Sequence, residues 1–118
     1  MAKTQLGVVI ISTFPDQESI LKIAEDLIVK KKLCACINLT KVRSLYFWKN
    51  KFEDQEEFIV FFKTTKISAD KLKSEIKKVH PYEVPEIVEL KMNDVSKSYM
   101  SWLLESTTIR SKTTKAKT

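Results

Sequence analysis

Residues 33–48, LCACINLTKVRSLYFW, run for sixteen positions with no proline, no glycine and no helical spacing of apolar side chains. The run is rich in strand formers and reads as one strand, far longer than the usual ~5–6 residues. Lys49-Asn50 follows as a hairpin turn, because asparagine tolerates the left-handed backbone such turns need. The return strand then extends from Lys51 to Thr64 and contains FIVFF (58–62). Alternation puts Ser44, Tyr46 and Trp48 on one face of this hairpin and Leu45 and Phe47 on the other. A ribbon that is apolar on both faces and longer than a small sheet leaves edges and aromatics to be covered, which argues for oligomerisation. On the return strand, Lys63 and Glu57 are expected to share a face only if a bulge breaks the alternation.

The flanks define the rest of the fold. LGVVIIST (6–13) is a β-branched run suited to a strand buried on both faces, stopped by Phe14-Pro15-Asp16. Asp16 is placed to cap a helix whose Ile20, Ile23, Ala24, Leu27 and Ile28 keep helical spacing. Lys30, Lys31 and Lys32 fall in its last turn, where cations suit the helix dipole and need no nucleic acid to explain them. After the hairpin, Ser68 is expected to cap a second helix with an apolar stripe of Ala69, Leu72, Ile76 and Val79. Pro81 disfavours helical geometry at His80 and ends it there. IVELKM (87–92) then alternates, with Val88, Leu90 and Met92 expected inward and Glu89 and Lys91 outward. Asp94 or Ser96 opens a last helix with Tyr99, Trp102 and Leu103 on one face. The order is βαββαβ plus a terminal helix. It predicts an α+β, ferredoxin-like, four-stranded antiparallel sheet with both crossover helices on one face and an extended central hairpin.

At 118 residues the chain is expected to be a single domain over 1–106 followed by a basic, disordered tail over 107–118. The tail, TTIRSKTTKAKT, holds four basic residues and no acid, and it accounts for most of the net charge of +6. The body keeps 17 basic and 15 acidic residues, too even a balance for a nucleic-acid surface. A charged fraction of 31% and the single glycine, Gly7, point to a stiff, heat-resistant chain. No apolar stretch approaches the ~20 residues that span a bilayer, and the N-terminus lacks a signal-peptide layout. A cytoplasmic protein is therefore expected. Cys34 and Cys36 lie too close for an ordinary disulfide and have no second pair for zinc, so they read as small core hydrophobes.

The segments STFPDQES (12–19), KLCACIN (32–38), SLYFWKNK (44–51), KTTK (63–66), HPYEVPEI (80–87) and YMSWL (99–103) together resemble the CutA family of divalent-cation tolerance proteins. The resemblance spans about residues 6–106 in family order and spacing. It implies a ferredoxin-like subunit related to PII signalling proteins, a homotrimer with hairpins paired across subunits, and a link to divalent-metal tolerance. It also implies a ligand cleft between subunits that gathers Asn38, Ser44, Tyr46, Trp48, Glu57, Lys63, Thr64, Tyr82, Glu86 and Trp102. His80 and Glu83 are the implied metal ligands, with Cu2+ or another divalent cation as the candidate ion and no cofactor required. Three positions depart from the pattern. Asn50 replaces a hairpin glycine, Ser12 stands where copper-binding members can carry cysteine, and Val79 stands where they can carry a second histidine. Losing a thiolate and an imidazole removes the ligands that most favour copper.

VHPYEVPEI (79–87) holds the only histidine and two of the three prolines. His80, Glu83 and Glu86 can be read as a metal set, as an acid/base group, or as a helix stop with a proline-braced turn. A single imidazole makes a poor metal nucleus, and no nucleophile motif or glycine-rich phosphate loop accompanies it, so an enzyme is not expected. Residues alone favour the helix stop. The tail and the aromatics Tyr46, Trp48, Tyr82 and Trp102 leave weak nucleic-acid binding as the remote alternative, behind a PII-like small-molecule binding module.

Overall fold

The computed structural model describes residues 6–107. Strand β1 (Gly7–Phe14) and helix α1 (Glu18–Glu25) lead into the central hairpin of β2 (Cys36–Trp48) and β3 (Lys51–Thr65). Helix α2 (Lys66–Val79), strand β4 (Val88–Lys91) and helix α3 (Lys97–Ser106) follow. The four strands form one antiparallel sheet in the order β2-β3-β1-β4, the expected ferredoxin-like arrangement. Alternation gives this sheet two distinct faces. Val8, Ile10 and Phe14 of β1 and Val60 and Phe62 of β3 pack with Ile20 and Leu27, and with Ala69, Leu72 and Ile76 of α2, in one buried core. Both crossover helices therefore lie on one face, where apolar burial at roughly 25 cal/mol per Å2 supplies the main driving force.

Local signals act much as the sequence implies. Asp16 Oδ1 accepts hydrogen bonds from Ser19 N at 2.8 Å and Ser19 Oγ at 2.9 Å, satisfying a free amide of the first turn. Past Glu25 the helix widens into a π-type turn, Asp26–Lys30. Lys31 then pairs with Asp26 and Glu75, so this lysine braces α2 as well as suiting the helix end. At the hairpin tip Lys49 and Asn50 have φ of 49° and 67°, the left-handed pair of a two-residue turn. Leu33–Ala35, expected as the start of the long strand, instead form a buried approach to it, and Ala35 N donates to Lys63 O at 2.8 Å. Cys34 is buried, which pushes its thiol up to about 12, while Cys36 is half-buried and donates to Asn38 Oδ1. Both cysteines are free.

Several expectations are corrected. Thr65, not Ser68, stands at the start of α2, and Ser68 is buried inside the first turn. Val79 does not extend the core stripe: it is 49% exposed, and the inward place beyond Ile76 is taken by the His80 ring stacked on Phe14 at 4.1 Å. The inward and outward sets of β4 are exchanged. Ile10 of β1 pairs with Glu89, which faces the helices and accepts from Lys66 and Lys73 at 2.8 and 2.6 Å. Val88 and Leu90, beside Ile11 and Val9, lie on the opposite face. The alternating pattern reports which side chains share a face but not which face the helices cover. The β2–β3 ladder runs without a bulge, so Glu57 and Lys63, an even number of residues apart, share a face after all. Thr107, assigned to the tail, is buried and donates from Oγ1 to Leu103 O at 2.8 Å, closing α3. The rest of the expected tail, 108–118, lies outside the described residues.

The single glycine has a packing reason. A Cβ at Gly7 would lie 2.6 Å from Met92 Sδ and 3.2 Å from Leu103 Cδ1. Helix α3 thus sits close over one end of the second face, and a larger residue at position 7 would require the Met92 side chain to shift.

Candidate functional site

Beyond Phe14, β1 ends while the hairpin continues: the last β1–β3 pair is Phe14 with Phe58, and residues 51–57 pair only with β2. The result is a free ribbon roughly 20 Å long, at ~3.4 Å per residue. Val42, Ser44, Tyr46 and Trp48 share a face with Glu53, Gln55 and Glu57. This is the face of the sheet opposite α1 and α2. Loop 80–87 reaches it by rounding the end of β1, with His80 held among the helix-side residues and Tyr82 reaching across to Glu57.

Between ribbon and loop lies a cleft of about 600 Å3. Ser44, Tyr46, Trp48 and Glu57 wall it on the ribbon side, and Tyr82, Glu83 and Glu86 on the loop side. Seven of the residues expected at a site are therefore brought together by one chain. Thr13, Leu45 and Val84 also line it and were not anticipated. Thr13 follows from the register, since it pairs with Ile59 on the same face as Glu57. Val84 could have been suspected from its place between Glu83 and Pro85, an exposed apolar residue in a braced turn.

The remaining expected residues lie elsewhere in the chain. Thr64 is buried and donates to Leu33 O at 2.6 Å, and Lys63 is half-buried opposite Cys36 and Val9. Asn38 is exposed on β2. Trp102 is 41% exposed and leans on Tyr99, with ring centroids 5.5 Å apart.

Tyr82 Oη donates to Glu57 Oε2 at 2.6 Å, the shortest polar contact at the cleft. Glu57 is 7% exposed, and this charge-assisted bond offsets part of the cost of burying its carboxylate. Burial first, and the Glu57 carboxylate second, raise the Tyr82 phenol well above the usual range, so it stays a neutral donor. Tyr46 moves the same way, again through burial first and then Glu57 and Glu53.

His80 has both ring nitrogens engaged. Tyr82 N donates to Nδ1 at 3.1 Å, which assigns the proton to Nε2. Nε2–H then points at Thr13 O, 2.9 Å away, with Ser12 Oγ at 3.2 Å. Burial is the main reason its pKa falls below the ordinary value, partly opposed by the Thr13 carbonyl and Glu57. In this arrangement the imidazole ties loop 80–87 to β1, and a metal ion would have to displace one of these bonds to reach a lone pair. Glu83 is exposed and meets Lys49 Nζ at 3.4 Å. Among the described residues, no group of three or more His, Cys, Asp or Glu side chains converges as a metal set.

A family model described as CutA1 divalent ion tolerance protein matches residues 8–106. The divalent-cation tolerance protein CutA of Thermotoga maritima is 41% identical over 99 residues, covering 84% of this chain and 97% of that protein. The crystal structure of CutA1 from Pyrococcus horikoshii is similar with a TM-score of 0.81 and 37% identity, covering 86% of this chain and 99% of that one. The structure of the periplasmic divalent cation tolerance protein CutA from Archaeoglobus fulgidus gives a TM-score of 0.82 at 29% identity, with coverage of 86% and 99%.

Proposed function

The chain belongs to the CutA1 divalent ion tolerance family, and from that premise we propose a cytoplasmic homotrimer that binds a ligand in the ribbon–loop cleft and catalyses no reaction. The cleft itself carries the reading: three aromatic rings and three carboxylates gathered at a ribbon that one chain leaves bare. Assembly is supported by what the subunit exposes. Leu45, Phe47 and Phe52 on one side of the ribbon, and Val88 and Leu90 on the face opposite α1 and α2, are 40–69% exposed. Apolar surface of that extent calls for a partner, and closed symmetric assembly is the usual solution. Light scattering coupled to gel filtration checks this, and a monomer at micromolar concentration would sink it.

Divalent-metal tolerance operates here through weak binding. His80 meets its own chain's Tyr82 amide and Thr13 carbonyl, so Cu2+ has to compete with two hydrogen bonds for it. Ser12 lies against the same imidazole, and a cysteine there would set a thiolate beside the ring. Calorimetry with Cu2+ is expected to show weak binding to the wild type, weaker binding to His80→Ala and tighter binding to Ser12→Cys. Identical isotherms for wild type and His80→Ala would reject His80 as a ligand.

A PII-like small-molecule module without a metal role is the second reading, favoured by the volume of the cleft, which suits an organic ligand. The basic tail as a nucleic-acid handle is the third. It predicts a DNA mobility shift that disappears when residues 108–118 are deleted, which leaves the buried Thr107 in place.

A further inference from the structure

We infer that the cleft selects a small organic cation, an alkyl or quaternary ammonium compound, over neutral and anionic molecules. The inference deepens the proposal that this cleft is the ligand site and rests on it.

Tyr46, Trp48 and Tyr82 present ring surfaces, Glu57, Glu83 and Glu86 supply negative charge, and no lysine, arginine or histidine is among the lining residues. An anion entering would meet three carboxylates against the single bordering ammonium of Lys49, while the rings add nothing to its binding. A cation gains from both. Aromatic faces carry the negative lobe of the ring quadrupole, and they attract an ammonium most strongly where water is partly excluded.

Glu57 sharpens this beyond an acidic rim. It is 93% buried by its 7% exposure, and Tyr82 takes only its Oε2. Among the described residues Oε1 has no hydrogen-bond partner, yet no side-chain oxygen is both fully enclosed and unpaired. Glu57 lines the cleft, so its carboxylate adds negative charge to the cavity wall with one oxygen not taken by Tyr82. The two tyrosines stay neutral in this field, so they offer faces and hydroxyls without adding charge.

The chain already carries out the recognition once with a group of its own. Lys49 Nζ lies 5.6 Å from the Trp48 ring centroid and 3.4 Å from Glu83 Oε1, an ammonium held between an indole and a carboxylate. Lys49 thus stands in for the occupant and competes with it for both partners. The cavity, about 600 Å3, leaves ample room for a molecule the size of choline.

The test uses the full chain in its solution assembly, with choline, its neutral isostere 3,3-dimethylbutan-1-ol, and inorganic phosphate as probes in calorimetry. Choline is expected to bind saturably, the alcohol about tenfold more weakly or less, and phosphate not at all. Trp48→Leu and Glu86→Gln, both at exposed positions that do not hold the core, should each weaken choline several-fold. Lys49→Asn keeps a residue suited to the left-handed turn and should tighten choline, because it frees Trp48 and Glu83. Equal affinity for choline and the alcohol, a preference for phosphate, or weaker choline binding in Lys49→Asn overturns the inference. Light scattering on the same samples separates the two levels: charge-blind binding sinks only the cation, whereas a monomer sinks the trimer proposed above and not the cleft, which one chain lines.

Discussion

The two strands of the hairpin pass through two environments. Near the base, Val60 and Phe62 are fully buried beneath α2, and β1 flanks β3. Past Phe58 the same strands continue with Phe47 at 69% and Phe52 at 66% exposed. On β3 the residues turn polar towards the tip, KFEDQEE at 51–57 against FIVFF at 58–62. The apolar side chains that remain there, Leu45, Phe47 and Phe52, are of the same kinds as those at the base. What changes is cover: β1 ends at Phe14, and α2 ends where His80 stacks on that ring. The base spends its apolar side chains on folding the subunit. Those at the tip remain available for contacts outside it, and the cleft forms where the two regimes meet.

The largest expected effect breaks the base. Phe62→Ala should cost about 3–5 kcal/mol of stability in chemical denaturation, because its cavity lies in a closed core. Phe47→Ala should leave the secondary structure intact and shift the assembly instead, read by light scattering. If Phe47→Ala unfolds the subunit as Phe62→Ala does, the contrast between base and tip is wrong. Gly7→Val comes next, at about 1–3 kcal/mol, because its side chain would collide with Met92 and Leu103. Removing Met92 bulk in the double variant Gly7→Val/Met92→Ala should recover part of that loss.

At the junction, Tyr82→Phe leaves the buried Glu57 carboxylate without its donor and should cost about 1–3 kcal/mol. Glu57→Gln in the same background should restore part of it. A smaller effect follows from His80. Its folded pKa lies below the unfolded value of 6.5, so between the two the unfolded chain binds more protons. Its contribution is therefore complete above pH 6.5 and is lost as pH falls below it. Thermal melts from pH 8 to pH 5.5 should show that decline, and His80→Gln should flatten it. The smallest effect is at the tip, where Arg43 and Asp54 form an exposed pair at 2.7 Å. Arg43→Gln should leave the melting temperature unchanged, since solvent screens such pairs.

Much of this fold is legible in the residues. The uninterrupted run into Trp48, the Lys49-Asn50 turn and the flanking periodicities specify the hairpin, its register and the βαββαβ order, because each is a local backbone preference. The aromatic face of Ser44, Tyr46 and Trp48 is legible for the same reason. The pairing of Tyr82 with Glu57 is not, because the two are far apart in the chain and meet only when loop 80–87 rounds the end of β1.

The sequence by itself therefore determined the elements and which side chains share a face, since alternation and helical spacing are properties of the backbone. Only the tertiary structure decided which face the helices cover, and with it the fate of Val88, Leu90 and Glu89. It also decided that His80 has both nitrogens engaged rather than free, and that Val79 lies outside the core. Those outcomes depend on where α2 stops relative to β1, a distance between elements that no residue states alone.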